Sequence, residues 1–298
     1  MKFNKIIVLN SETKDTVYTY LKRNGFSENY LRNLRKKEGY IKLNGVTAYT
    51  NALVHNNDLL ELYQNPNTTS SVMQNTIPLD IVYEDDDILV VNKPSGIPTT
   101  PSRSHPQDNL SSAVLAYMFS KDEDFIVRVV NRLDKETAGL VCIAKHSLIS
   151  NLLNSNNYIT KIYYAICRGK ISEKLTIDKK IDTTLNEYGF NNHRRVISEL
   201  GKPATTFVTP VLFDGENTLC KFELVHGRTH QIRVHISSID HPLLGDTLYG
   251  EASKKIAHTA LVCAQMSIYN PIIKKQIILK IDLPNDFRDA FNQEIKLD

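Results

Sequence analysis

The chain offers no uninterrupted apolar run of the ~18 residues that a transmembrane helix requires, so none is expected. Its N-terminal stretch, Met1 to Asn10, holds only the four-residue run Ile6–Leu9, too short for the core of a signal peptide. Cysteine is scarce. Cys142, Cys167, Cys220 and Cys263 are scattered, with no Cys-x-x-Cys spacing. That argues against a zinc or disulfide framework and points to buried thiols in a reducing, cytoplasmic compartment. There is no Gly-rich phosphate loop, internal repeat or low-complexity tract. His226 and His230 stand four apart, as in helical zinc motifs, but Gly227 and the β-like run that follows argue against a helix there, and no carboxylate ligand accompanies them. No metal is expected.

What is present fits a soluble globular protein, 41% apolar and 23% charged, and 298 residues suggest two domains. The net charge of +3 does not by itself announce nucleic acid, but its distribution is uneven. Residues 1–64 carry ten basic against six acidic side chains, and the rest carries 26 against 27. A polyanion would dock first at the N-terminal fifth.

Residues 11–64 form one unit. Asp15 to Arg23 reads as a short helix ended by Gly25, and Ser27 can cap a second helix with Leu31 and Leu34 as its apolar stripe. Arg32, Arg35, Lys36 and Lys37 crowd that second helix, and Gly39 stops it. Tyr40–Leu43, Asn44-Gly45 and Val46 make a hairpin, and Asp58–Tyr63 a final strand. The basic helix is either a solvated face or an RNA contact; charge alone does not decide. Residues 65–77 are polar and structure-poor and read as a linker. From residue 78 onward short strands dominate: Ile81–Tyr83 and Ile88–Val91 about an acidic turn, then Lys161–Cys167, Ala204–Leu212, Leu219–Val225, Gln231–Ile236 and Ile272–Ile281. Leu110–Phe119 and His146–Asn154 are helices. The expected fold class is α+β: a mixed, mainly antiparallel sheet with flanking helices over 78–298, preceded by a small α/β domain.

The densest signal lies at Asn131 to Lys145. An apolar approach ends in Arg132-x-Asp134, a polar turn with Thr137 and Gly139 follows, and a second apolar run leaves it. A carboxylate there can serve as nucleophile or general base; a structural ion pair at a strand end is the competing reading. In His226–His235, a strand would place Gln231, Arg233 and His235 on one face, able to bind phosphates or bases. Tyr163 and Tyr164 would point to opposite faces of a strand, one into the core and one free to stack on a base. Residues His241–Gly250 read as a shaped loop closing over the sheet.

Taken together and in order, these segments resemble the RluA-type pseudouridine synthase family from about residue 80 to residue 287. The family's H-R-L-D-x-x-T-S-G-L appears as Asn131 to Leu140, V-x-K-P-x-G as Val91 to Gly96, and K-x-Y-x-A as Lys161 to Ala165. G-R-T-H-Q-I-R-V-H appears as Gly227 to His235, G-H-P-I-x-G-D-x-x-Y-G as Asp240 to Gly250, and L-P-x-D-F as Leu283 to Phe287. Residues 11–64 resemble the small S-four-type (alpha-L) RNA-binding domain, with Lys42-Leu43-Asn44-Gly45-Val46 as its hairpin and Arg32, Arg35, Lys36, Lys37 and Lys42 as RNA contacts. Departures from the catalytic family's pattern include Asn131 for His, Ala138 for Ser, Asp240 for the glycine that opens its segment, and Cys263 where many members carry His.

The resemblance implies Asp134 as catalytic aspartate, Tyr163 stacked near the uracil and available late as a base, and Arg233 paired with Asp134 to keep it ionised. Arg132 would take the place of the flipped base, with Thr137, Arg228, His230 and Gln231 on the substrate side. Isomerisation needs no redox partner, group donor or energy input, so no cofactor is implied. The expected partner is RNA, ribosomal rather than transfer, and the expected state a cytoplasmic monomer. The competing classes are a noncatalytic RNA-binding or ribosome-assembly factor, and a two-carboxylate glycosidase using Asp134 with one of Asp85 to Asp87.

Overall fold

The structure, a computed structural model, describes residues 2–8, 11–12, 14–26, 28–35, 40–64, 77–121, 126–155, 158–185 and 191–291. The first unit holds β1 (Lys2–Ile7), α1 (Val17–Arg23), α2 (Glu28–Leu34), β2 (Ile41–Leu43), β3 (Val46–Thr47) and β4 (Leu59–Gln64). The order across its antiparallel sheet is β1-β4-β2-β3. Strand β1 precedes the expected start at residue 11, because Lys2 to Ile7 pair along Gln64 to Leu59. Thr16 caps α1 in a reciprocal pair with Thr19. At the hairpin Asn44 and Gly45 both take positive φ, 51° and 81°, as a two-residue turn matched to strand twist demands. Ser27, Lys36, Lys37, Gly39 and residues 65–76 of the expected linker lie outside the described residues.

Helices α1 and α2 bury Val17, Leu21, Leu31 and Leu34 against Leu60 and Leu62 of the small sheet. Leu148 and Leu152, from a helix of the second unit, join this apolar cluster, at 0% and 3% exposure. Full burial of a leucine is worth about 1.5–3 kcal/mol, so the two units are docked by more than their linker.

The second unit runs β5 (Asp80–Glu84), β6 (Ile88–Lys93), α3 (Leu110–Ser120), β7 (Arg128–Val129), β8 (Ala138–Ala144), α4 (Ser147–Ser155), β9 (Ile159–Arg168), β10 (Leu175–Asp178), β11 (Ile181–Leu185), β12 (Asn191–Ile197), β13 (Thr205–Phe213), β14 (Asn217–Leu224), α5 (Gln231–Ser237), β15 (Leu261–Asn270), β16 (Lys275–Lys280) and α6 (Asn285–Ala290). Its main sheet has the order β10-β13-β14-β9-β15-β8-β6-β5, with β16 on β15 and β7 on β8. Pairing is antiparallel except between β15 and β8, where Cys263 meets Gly139. Gly139 has φ 112°, and a Cβ there would stand 2.3 Å from the Cys263 carbonyl oxygen, so only glycine permits this parallel junction. Strands β11 and β12 form a separate hairpin.

The fold is therefore α+β, with a mainly antiparallel sheet. One expected strand is corrected: Gln231–Ile236 is the helix α5. Alternating β-branched residues suggested a period of two, but every side chain from Gln231 to Ile236 is buried, so burial gives no alternation to detect. Strand β15, which the sequence did not signal, enters the middle of the sheet.

Candidate active site

Asp134 sits in the loop between β7 and β8. Elements distant in sequence hold that loop. Asn131 is buried and spans β8, its amide donating to Leu140 O (3.2 Å) and its oxygen accepting from Cys142 N (2.8 Å). The departure from His thus serves the loop's anchor. Thr99 Oγ1 donates to Leu133 O at 2.6 Å and accepts from Leu133 N at 3.1 Å. Ser95 Oγ donates to Glu136 O, and Gly96 N to Lys135 O. Lys93, at 0% exposure, sends its ammonium to the carbonyls of Pro94, Ile97 and Lys135 at 2.8, 2.7 and 3.2 Å. Burial pulls its pKa down to about 8 against the charges of Asp134 and Glu136, so it is still protonated at pH 7. The segment after β6 is therefore a clamp on the Asp134 loop, a role that a strand-ending lysine does not disclose.

The loop forms one wall of a cleft of about 780 Å³, a size suited to a small ligand or a single extruded nucleotide. Facing walls come from residues 98–102, Lys161 and Tyr163 of β9, and Gly227 to Arg233. The Asp134 side chain is 27% exposed, while Arg132 is exposed beside it. They flank Leu133 in irregular backbone, not on a strand face. Tyr163 lines the cleft, and its neighbour Tyr164 packs in the apolar cluster on the other side of the sheet. Burial foremost, with the nearby Cys263 and Asp134, pushes the Tyr163 phenol well above its ordinary value, so it stands as a neutral hydroxyl.

His230 precedes α5 in the left-handed region, φ 56°. Its Nε2 lies 3.9 Å from Asp134 Oδ2, and its Nδ1 lies 3.1 Å from the Tyr249 hydroxyl. Burial lowers its pKa, opposed by the charge of Asp134. Arg233 differs from its expected pairing. Its Nε and Nη2 grip Asp246 at 2.7 and 2.8 Å, and Asp134 is reached only through longer-range attraction. Asp246, fully buried, also accepts from the backbone of Leu248 and Tyr249. Burial disfavours the Arg233 charge, but the Asp246 bonds outweigh it and raise its pKa.

Of the expected substrate-side residues, Arg132, Thr137, Arg228, His230 and Gln231 all line the cleft. Gln231 is nevertheless committed to structure, donating to Thr205 O and Thr206 Oγ1 and accepting from Arg228 N. His235, one turn along α5, also meets Thr206, whereas Arg233 faces Asp246, so the single polar row expected of a strand does not exist. Arg228 Nε donates to Pro203 O. In the N-terminal unit Arg32 and Arg35 are exposed and Lys42 half-buried; Arg35 bonds Thr50 and lies over the Tyr18 ring.

Residues 87–238, about half of the chain, match the family described as RNA pseudouridylate synthase. An uncharacterized RNA pseudouridine synthase, YjbO, of Bacillus subtilis is 28% identical over 94% of this chain and 99% of its own length. Ribosomal large subunit pseudouridine synthase D of Yersinia pestis is 33% identical over 72% of this chain and 70% of its own. Among solved structures, human RNA pseudouridylate synthase domain containing 1 overlays with a TM-score of 0.56 at 27% identity, covering 70% of this chain and 86% of that one. With Asp134 set in a nucleotide-sized cleft on that shared fold, the chain belongs to the RNA pseudouridylate synthase family.

Proposed function

We propose that this protein isomerises uridine to pseudouridine at specific sites of structured RNA, large-subunit ribosomal RNA foremost, with Asp134 as the catalytic carboxylate. The observation that carries the reading is a half-buried carboxylate on an over-anchored loop, open to a cleft of about 780 Å³. The reaction breaks the N1–C1′ bond, joins C5 to C1′, releases the C5 proton and returns one to N1, so no atom is gained or lost. Asp134 either attacks the sugar or takes a sugar proton; both routes require the ionised form. A uridine stacked in RNA is out of reach, so it is extruded into the cleft, and Arg132, exposed beside Asp134, fills the gap. Tyr163 packs on the uracil as a neutral phenol. Arg233 supplies positive charge behind Asp134 while held by Asp246. The N-terminal unit acts as an S-four-type RNA-binding domain through Arg32, Arg35 and Lys42. Its relative in Yersinia pestis, named for the ribosomal large subunit, favours ribosomal over transfer RNA as the target. Four buried thiols fit a cytoplasmic setting, and the protein acts there as a monomer.

The test is pseudouridine mapping of total RNA from cells lacking this protein, rescued with wild type or Asp134→Asn. A site restored only by wild type supports the reading and names the RNA. Equal rescue by Asp134→Asn removes the carboxylate from the chemistry, and no altered site at all would turn the protein into a noncatalytic RNA-binding factor.

A further inference from the structure

A catalytic carboxylate has to be held in one orientation; the Asp134 loop is clamped, but among the described residues no hydrogen bond from that loop reaches the carboxylate itself. Among the described residues, His230 is the side chain within ion-pair reach of its carboxylate. At 3.9 Å the contact is longer than a hydrogen bond, a slack that catalytic pairs often show before substrate closes the site. His230 is held in a left-handed conformation that costs a non-glycine residue of order 1 kcal/mol, and such strain persists only where the surroundings enforce it.

The His230 side chain meets Tyr249, 8% exposed and outside every role assigned above. Its hydroxyl oxygen accepts from the backbone N–H of Arg195 on β12 at 2.6 Å. The same hydroxyl lies 3.1 Å from His230 Nδ1, within reach to donate its own proton there. Burial disfavours the charged imidazole, and in the tautomer whose Nδ1 accepts from Tyr249 the ring proton is on Nε2, the nitrogen that faces Asp134. In that tautomer the donors run in one direction, from Arg195 N–H to Tyr249 O–H to His230, leaving the Nε2–H 3.9 Å from the carboxylate. The Tyr249 ring also has two cations near it, the Arg194 and Arg233 guanidinium carbons standing 5.6 and 5.3 Å from its centroid.

We propose that Tyr249 is a positioning residue for the reaction, fixing the His230 tautomer that orients Asp134 and tying that orientation to the backbone of the β11–β12 hairpin. This rests on the reading of Asp134 as the catalytic carboxylate. Strand β12, which carries Arg194 and Arg195, is thereby joined to the reacting group, so RNA that settles β12 also settles the carboxylate.

The experiment compares steady-state pseudouridine formation by the full chain as wild type, Tyr249→Phe, His230→Gln, His230→Ala, the Tyr249→Phe/His230→Gln pair and Asp134→Asn. Tyr249→Phe keeps the ring beside its arginines and removes only the hydroxyl. It is expected to lower kcat about tenfold with KM within twofold, the size of one oriented hydrogen bond. Gln places an N–H near the position of Nε2 without needing a tautomer chosen for it, so His230→Gln should retain most of the activity that His230→Ala loses. In the Gln background Tyr249→Phe should have no further effect. An unchanged kcat in Tyr249→Phe, an effect on KM alone, or the same tenfold loss on top of His230→Gln would overturn the proposal. Should Tyr249→Phe prove unstable, the ordering of Gln above Ala at position 230 decides alone. An active Asp134→Asn would instead sink the underlying reading of the carboxylate.

Discussion

Lys93 shows how much of the site rests on one concealed charge. An ordinary lysine side chain titrates near 10.4, and burial brings this one to about 8. Below pH 8 both folded and unfolded chains carry the proton, and the cost of burying the charge is fully present. Between pH 8 and about 10.4 the folded chain sheds its proton first, so stability rises with pH through that window by about 3 kcal/mol from this group. Urea unfolding at several pH values should show that rise in wild type relative to Lys93→Met; identical slopes would mean that the ammonium is not buried as described. The variant should also lose activity, because Lys93 joins the Pro94–Ile97 turn to the Lys135 carbonyl. None of this is legible locally. A lysine after Ile88–Asn92 reads as the exit of a strand into solvent, and its carbonyl partner at Lys135 is 42 positions away.

At the scale of elements, legibility followed how local the determining contacts are. The turn at Asn44-Gly45, the helix Leu110–Ser120 and the strand–turn–strand about Asp134 are written in short patterns, and the structure has them where the pattern puts them. Helix α5 is not so written. It has seven residues and no side-chain cap, and its polar members bond to Arg228, β13, Lys179, Asp246 and Tyr249, so tertiary bonds override its β-branched composition. Its chief tie is the Arg233–Asp246 pair, at 6% and 0% exposure. Removing one partner of such a pair strands a buried charge, so Asp246→Ala should cost about 3–5 kcal/mol in urea unfolding. Replacing both, as Arg233→Met with Asp246→Leu, should recover most of that stability without recovering activity. A single variant as stable as wild type would show that α5 is anchored elsewhere.

At the scale of the whole molecule, the sequence suggests a unit over residues 11–64, whereas β1 pairs with its last strand and its attachment to the main sheet has no local signal. Leu148 and Leu152 look like the buried side of an ordinary helix on the main sheet; which neighbour they meet is a property of assembly. Replacing both by Ser should release the N-terminal unit, raise the radius of gyration in small-angle scattering, and reduce modification of full-length ribosomal RNA about tenfold by lowering the effective concentration of the cleft at its target. A short stem-loop that does not span both units should be modified as before. An unchanged radius would mean that other contacts hold the two units.

Strand β15 supplies the middle of the main sheet from residues 261–270, between β9 and β8. A chain emerging from the ribosome therefore carries Asp134 and Tyr163 long before they can face each other. Until this strand is made, β9 and β8 lack the neighbour that joins them in the sheet. The enzyme has no catalytic life as a nascent chain, and its newly made halves are what a chaperone would have to shield.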